Sequence, residues 1–222
     1  AASDVYKRQA MILLAISTSG PVASAALLQD GVLLRKAEGP RERTHSETIM
    51  GLIQQAYVDL EPYGIDALAV DVGPGSFTGV RIGVCVANAM AKAWQKPVIP
   101  VSSLAALSHG LTGYVCALLD CRNGNGYAMI TQQGNLLLPE SPVVVDELLR
   151  QLPPGACIVG DGASVYQAAI QEAVPGAVLL GDRIVTGEAV GACAFSGTGV
   201  AEVMPLYLRP AQAERLYKEQ HP

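Results

Sequence analysis

The chain has 222 residues, half of them apolar and 16% charged, with a mean hydropathy of +0.30 and a formal net charge of −5 at pH 7. Such a chain suits one large or two small packed units. The acidic balance argues against a general nucleic-acid coat or a polybasic membrane anchor, and no apolar run approaches the roughly 20 residues of a membrane-spanning helix.

In chain order, residues 1–10 (AASDVYKRQA) are polar and lack the apolar core of a signal peptide. They read as a non-native or disordered extension, with Met11 as the natural start. Ile12–Ile16 predicts a strand, followed by the turn Ser17-Thr18-Ser19-Gly20-Pro21. Val22–Leu28 and Val32–Lys36 predict two more strands joined by a Gln29-Asp30-Gly31 hairpin. From Ser46 to Leu60 the period changes. Ile49, Leu52, Ile53, Ala56, Tyr57 and Leu60 recur at helical steps, and Ser46 is placed as the N-cap. A strand over Ala67–Val72 then leads through a Gly-rich run to a helix from Val80 to about Trp94. Pro97–Val101 predicts a strand, and Ser102 or Ser103 caps a short helix ending near His109.

The pattern restarts at Val115. Val115–Leu119 predicts a strand ending at Asp120, Gly126–Thr131 and Leu136–Leu138 a hairpin, and 146–151 a short helix. Ala156–Val159 predicts a strand running into Gly160-Asp161-Gly162, and 164–173 a helix. A helix near 188–195, a strand over Val203–Leu208 and a polar helix from Ala211 complete the chain. LLAIS corresponds to ALLD, LLQDGVLL to ITQQGNLLL, and the corner Gly73-Pro74-Gly75 to Gly160-Asp161-Gly162. Repeated order of this kind points to duplication. The expected fold is α/β of the actin-like ATPase (ASKHA, Hsp70 and sugar-kinase-like) class: two duplicated subdomains, each a mixed sheet flanked by helices, over 11–110 and 111–204. The segment 205–222 is expected to pack back on the first.

In that architecture the first hairpin turn of each half holds nucleotide phosphates, with acidic residues placing Mg²⁺ and water. Here the first turn offers Ser17, and only Asp120 remains of the expected pair. The cleft is therefore read as vestigial, with Thr18, Asp120, Gly160 and Gly162 as its nucleotide-binding residues. The run Gly73-Pro74-Gly75-Ser76-Phe77-Thr78-Gly79-Val80-Arg81-Ile82-Gly83 lacks the Lys of a P-loop and is not G-x-G-x-x-G. It reads as a rigid corner, with Phe77 and Arg81 facing a socket or a partner. No G-x-S-x-G elbow surrounds Ser76 or Thr78. His45, at a helix entry, reads as a capping or packing residue, and Arg41, Glu42 and Arg43 as a solvated loop. Five cysteines without a C-x-x-C pair indicate a reducing, cytoplasmic setting, and three scattered histidines give no local metal pair. Arg81 is the only formal charge between Val80 and Ala91, so that helix is expected to be covered on more than one side.

LLAISTS, Arg43-Thr44-His45-Ser46-Glu47, GPGSFTGVRIG, Val101-Ser102-Ser103-Leu104, Asp120-Cys121-Arg122 and Pro205-Leu206-Tyr207-Leu208-Arg209 together resemble the bacterial TsaB (YeaZ) family, from Met11 to about Pro210. The resemblance implies an actin-like fold and a part in making N6-threonylcarbamoyladenosine at position 37 of tRNA. It implies a non-catalytic, cytoplasmic subunit that binds and activates a TsaD-type catalytic protein, with a TsaE-type ATPase as a further partner. The subunit would pair with itself when TsaD is absent and meet tRNA only through the complex. No intrinsic cofactor and no metal are implied, ATP or ADP belonging to the complex. The family's motif maps to Gly73, Pro74, Gly75, Ser76, Phe77, Thr78 and Gly79. Its pairing helices map to 46–60 and 80–94, which places Ile49, Ile53, Phe77, Arg81, Val84, Ala87 and Ala91 at the interface. Ala87→Glu or Ala91→Glu is then expected to abolish pairing in a folded chain. The family commonly carries Asp where this chain has Ser17, and its TsaD relatives carry an H-x-x-x-H pair absent here. A nucleotide-hydrolysing actin-like ATPase and a metallopeptidase-like enzyme are the competing readings.

Overall fold

The computed structural model describes residues 10–41, 44–58 and 64–209. Residues 1–9, expected to be an extension, Glu42 and Arg43, the last turn expected at Leu60, and the helix expected from Ala211 lie outside the described residues. Among the described residues ten strands fall into two sheets, flanked by seven helices. The first holds β1 (Ile12–Ser17), β2 (Ser24–Gln29), β3 (Val32–Glu38), β4 (Ala67–Asp71) and β5 (Val98–Val101), in the order β3-β2-β1-β4-β5. The second holds β6 (Tyr114–Asp120), β7 (Asn125–Gln132), β8 (Asn135–Val144), β9 (Cys157–Val159) and β10 (Val178–Leu180), in the order β8-β7-β6-β9-β10.

The two orders superimpose strand for strand. In each sheet the first three strands form an antiparallel meander and the last two run parallel to the first. The tight turns match as well. Asp30-Gly31 and Gln133-Gly134 both have positive φ at both positions, as the two-residue turns suited to twisted strands require. This duplicated pair of mixed sheets is the actin-like ATPase architecture expected from the sequence.

Helices α1 (His45–Ala56) and α2 (Phe77–Trp94) cover one face of the first sheet, where Leu14, Ile16, Leu68 and Val70 meet Ile49, Ile53, Val84 and Ala87. Helices α4 (Val145–Leu149), α5 (Asp161–Val165) and α6 (Gln167–Ala173) cover the far face of the second. Between the sheets lie α3 (Ser103–Ser108) and α7 (Gly187–Ala194). There Leu13, Ala15, Ala69, Leu104, Leu107, Ala117, Val159 and Val190 share one core. Strand β4 is buried along its whole length, as a central parallel strand with both faces covered should be.

Several boundaries differ from expectation for local reasons. Helix α2 starts at Phe77 because Ser76 caps it, its hydroxyl accepting from the Gly79 N–H at 3.2 Å. Helix α1 starts at His45 with Thr44, not Ser46, at the N-cap position. The helix expected over 164–173 is two helices parted at Tyr166. Strand β10 had no counterpart in the sequence reading. Val203–Leu208 is not a strand: Val203 is bracketed by the Asn88 side-chain amide, and the Leu206 N–H donates to the Val72 carbonyl at 2.7 Å. The chain also returns to the first sheet at α7, well before residue 205, since α7 packs on β1, β2, β4 and β5.

Candidate functional site

A cleft of about 1180 Å³ opens where the strands of both sheets end, lined by Ser19, Gly75, Ser76, Asp120, Arg122, Asp161 and Arg183 among others. This is the crevice at the carboxyl ends of strands where α/β folds place ligands. Beneath the cleft wall at Ser19 stands Asp71, the last residue of β4 and fully buried. Register sets it beside Ser17, one step beyond the Ile16–Val70 pair. Its carboxylate accepts from the Ser17 hydroxyl at 3.0 Å, from the Ser19 hydroxyl, and from the Thr18 N–H at 3.4 Å. The Ser103 hydroxyl donates in turn to Ser19 at 3.2 Å. Burial pushes the Asp71 carboxyl above the ordinary carboxylate range, against the pull of these donors. The carboxylate missing from position 17 is thus supplied by the neighbouring strand, but it is spent on the turn and does not reach the cleft surface.

That turn also fixes the helix beside it. The Thr18 hydroxyl donates to the Gly79 carbonyl at 2.7 Å, and the Ser76 N–H donates to the Ser19 carbonyl at 3.0 Å. Thr18 is therefore buried beneath α2 and does not line the cleft, contrary to its expected nucleotide role. A Cβ at Gly79 or Gly83 would run into Thr18 itself, so these glycines are required by the close approach of helix and turn. The Gly-rich run is a corner that seats α2 on the first hairpin turn.

Across the cleft, Asp120 does reach the surface. Its carboxylate accepts from the Arg122 N–H at 2.9 Å and the Tyr166 hydroxyl at 2.5 Å, while its own N–H donates to Asp161 at 2.9 Å. The Tyr166 hydroxyl is pushed up to about 12, first by burial and then by the Asp120 bond. Gly160 and Gly162, also assigned to the nucleotide, do not line the cleft. Gly160 sits at φ +106°, and a Cβ at either position would strike Leu118, so they allow α5 to lie against β6. Asp161 between them is the residue that faces the cleft, and burial raises its carboxyl. His45 bonds the Gly20 carbonyl through Nε2 at 2.8 Å, the packing role expected of it. Among the described residues no three His, Cys, Asp or Glu side chains gather as a metal site, and no helix is long and apolar enough to cross a membrane.

At the rim, Phe77 and Tyr207 are both close to half exposed, their ring centroids 5.2 Å apart. The Arg81 guanidinium lies 3.9 Å over the Phe77 ring and its Nε donates to the Tyr207 hydroxyl at 2.6 Å. Phe77 and Arg81 were expected at a partner surface, and both are exposed. Ile49, Ile53, Val84, Ala87 and Ala91 are not: all five are buried against the chain's own sheet. The apolar stripe of a helix on a sheet faces that sheet first. The outward faces carry Met50, Gly51 and Gln54 on α1 and Cys85, Ala89 and Ala93 on α2, with Ile82 and Val86 half-buried beside them.

A family model described as "TsaD: tRNA N6-adenosine threonylcarbamoyltransferase" matches residues 38–202. The tRNA threonylcarbamoyladenosine biosynthesis protein TsaB of Escherichia coli is 33% identical over 171 residues, covering 68% of this chain and 72% of that protein. The chain belongs to the TsaB (YeaZ) family. TsaB of Bacillus subtilis is 28% identical over 94% of this chain and 99% of its own length. The structure of YeaZ from Pseudomonas aeruginosa, 27% identical, superimposes with a TM-score of 0.73 over 89% of this chain and all of that one.

Proposed function

We propose that this TsaB-family chain serves tRNA threonylcarbamoyladenosine biosynthesis as a non-catalytic subunit, binding and activating a TsaD-type catalytic protein through the outer face of α1 and α2. One observation carries the interface. Of the outward residues on α2 only Arg81 and Lys92 are charged, and those of α1 from Met50 to Gln55 carry no charge. A water-facing helix normally shows a charged face, so a smooth, small-residue surface on two adjacent helices fits a covering helix pair. The cleft chemistry agrees: Asp71 has both oxygens taken up by the turn, which leaves Asp120, itself held at Oδ1 by Arg122 and Tyr166, without the second free carboxylate that placing a metal and an attacking water calls for. Self-pairing through the same face, a TsaE-type ATPase as a further partner and a cytoplasmic location belong to this reading.

Ala87→Glu and Ala91→Glu would bury a charge in the chain's own core and cannot test it. Ala89→Glu and Cys85→Glu stand on the exposed face. Each is expected to leave the thermal midpoint within a few degrees of the parent and to abolish co-purification with the TsaD-type subunit. Normal co-purification of both variants would refute the interface. Reconstituted tRNA modification, run with and without this chain, checks the activating role, and full modification in its absence would refute that.

A further inference from the structure

The chain carries an excess of acid overall, yet its cleft gathers cations. Arg41, Arg122, Arg183 and Arg209 all line it. Among the described residues none of these guanidiniums, nor that of Arg81, lies within ion-pair distance of a carboxylate; both recorded ion pairs are made by Lys36. Arg209 holds the Asn125 side chain at 3.0 Å and Arg183 the His109 carbonyl at 2.5 Å, so two of the four are braced by neutral acceptors that leave their charge uncancelled. Three aspartates, Asp120, Asp161 and Asp182, line the cleft as well, so its four arginines exceed its acids by one. Unneutralised arginines around a cavity favour an anion.

The rim adds a second kind of contact. Phe77 and Tyr207 present half-exposed rings at the mouth, and Arg81 braces them through one ring face and one hydroxyl. A ring held in place with surface to spare is a stacking platform for a planar base. Open rings at the rim with arginines spread along the walls suit a strand passing through the mouth better than an enclosed mononucleotide. We infer that this cleft binds single-stranded RNA directly, a base stacking on Phe77 and Tyr207 while the phosphates meet Arg41, Arg122 and Arg209. The inference rests on the proposed role in tRNA modification and goes beyond it, since it gives this chain its own hold on the RNA.

Fluorescence anisotropy of the full chain with a fluorescein-labelled oligoadenylate of about ten nucleotides tests it. The single strand is expected to bind at least about tenfold more tightly than the same strand annealed to its complement, because stacking needs unpaired bases. The logarithm of affinity should fall with the logarithm of salt at a slope of about −2 for three phosphate contacts, and Arg122→Gln or Arg209→Gln should each make that slope shallower by about 0.7. Tyr207→Leu should weaken binding about 5- to 100-fold with the slope unchanged, a separation that general loosening of the fold would not produce. Binding insensitive to all three variants, or no binding at millimolar protein, overturns the inference. So does AMP competing at the same nucleotide concentration as the strand, which would make this a mononucleotide site. If oligonucleotide binding fails while reconstituted modification still needs the chain, this inference falls and the accessory role stands. If the strand binds as described but modification proceeds without the chain, the accessory role falls alone.

Discussion

Gly79→Ala is expected to destabilise the chain by more than about 3 kcal/mol, whereas Gly51→Ala, on the adjacent helix, should stabilise it by roughly 0.5–1 kcal/mol. The contrast lies in what a methyl group would meet. At Gly79 it would enter the Thr18 carbonyl oxygen, a backbone atom held by the buried turn, so neither side can yield. At Gly51, mid-way along α1 and exposed, nothing stands within 4 Å, and the gain is the usual preference of a helix for Ala over Gly. Urea unfolding of both variants measures the pair. A Gly79→Ala midpoint close to that of the parent would mean that helix and turn are not locked together as described.

Asp71 gives the second large effect. Asp71→Ala removes the acceptor of two hydroxyls and a backbone N–H at a buried site, and the loss should be about 3 kcal/mol or more. Asp71→Asn should behave differently. Its amide can donate to Ser17 and Ser19, whose hydroxyls can turn to the Val185 carbonyl at 3.3 Å and to Ser103 at 3.2 Å. The sign of the pH dependence follows from the raised carboxyl. Folded Asp71 holds its proton at pH values where the unfolded chain, near 3.8, has released it. Its contribution is therefore fully present below the unfolded value and is lost as pH rises through the higher folded value. The parent should lose stability on this account as pH climbs out of the acid range. Asp71→Asn should lack that component and equal or exceed the parent at neutral pH. Thermal midpoints of the two chains from pH 4 to 8 provide the check, and parallel curves would show that Asp71 does not titrate in this way.

How far the chain could be read beforehand depended on whether each signal was local. The duplication was legible because hairpin turns and apolar runs are local, and Asp30-Gly31 and Gln133-Gly134 do adopt the same turn. The role of Asp71 was not legible: nothing near it in sequence names Ser17 and Ser19 as its partners, which parallel pairing supplies from more than fifty residues away. Thr18, Gly160 and Gly162 were placed at the cleft by analogy of position, and packing against α2 and β6 claims them instead. Five of the seven residues expected at an interface are buried against the chain's own sheet, and the reason is informative. Periodicity in α2 picks out Val84, Ala87 and Ala91, which face the sheet. The surface proposed for a partner shows only as charges that are missing at Cys85, Ala89 and Ala93, and an absence has no period. The Phe77–Arg81–Tyr207 stack joins residues more than a hundred positions apart and was equally invisible.

The place of α7 has a consequence for how the molecule is made. One face of the first sheet, with Leu13, Ala15, Ala26, Leu28 and Ala69, is closed by α7, which follows the whole second sheet in the chain. During synthesis from the N-terminus that greasy face must wait, uncovered, while the ribosome adds every strand of the other half. The duplicated halves, so alike in pattern, are completed together when α7 takes its place between them.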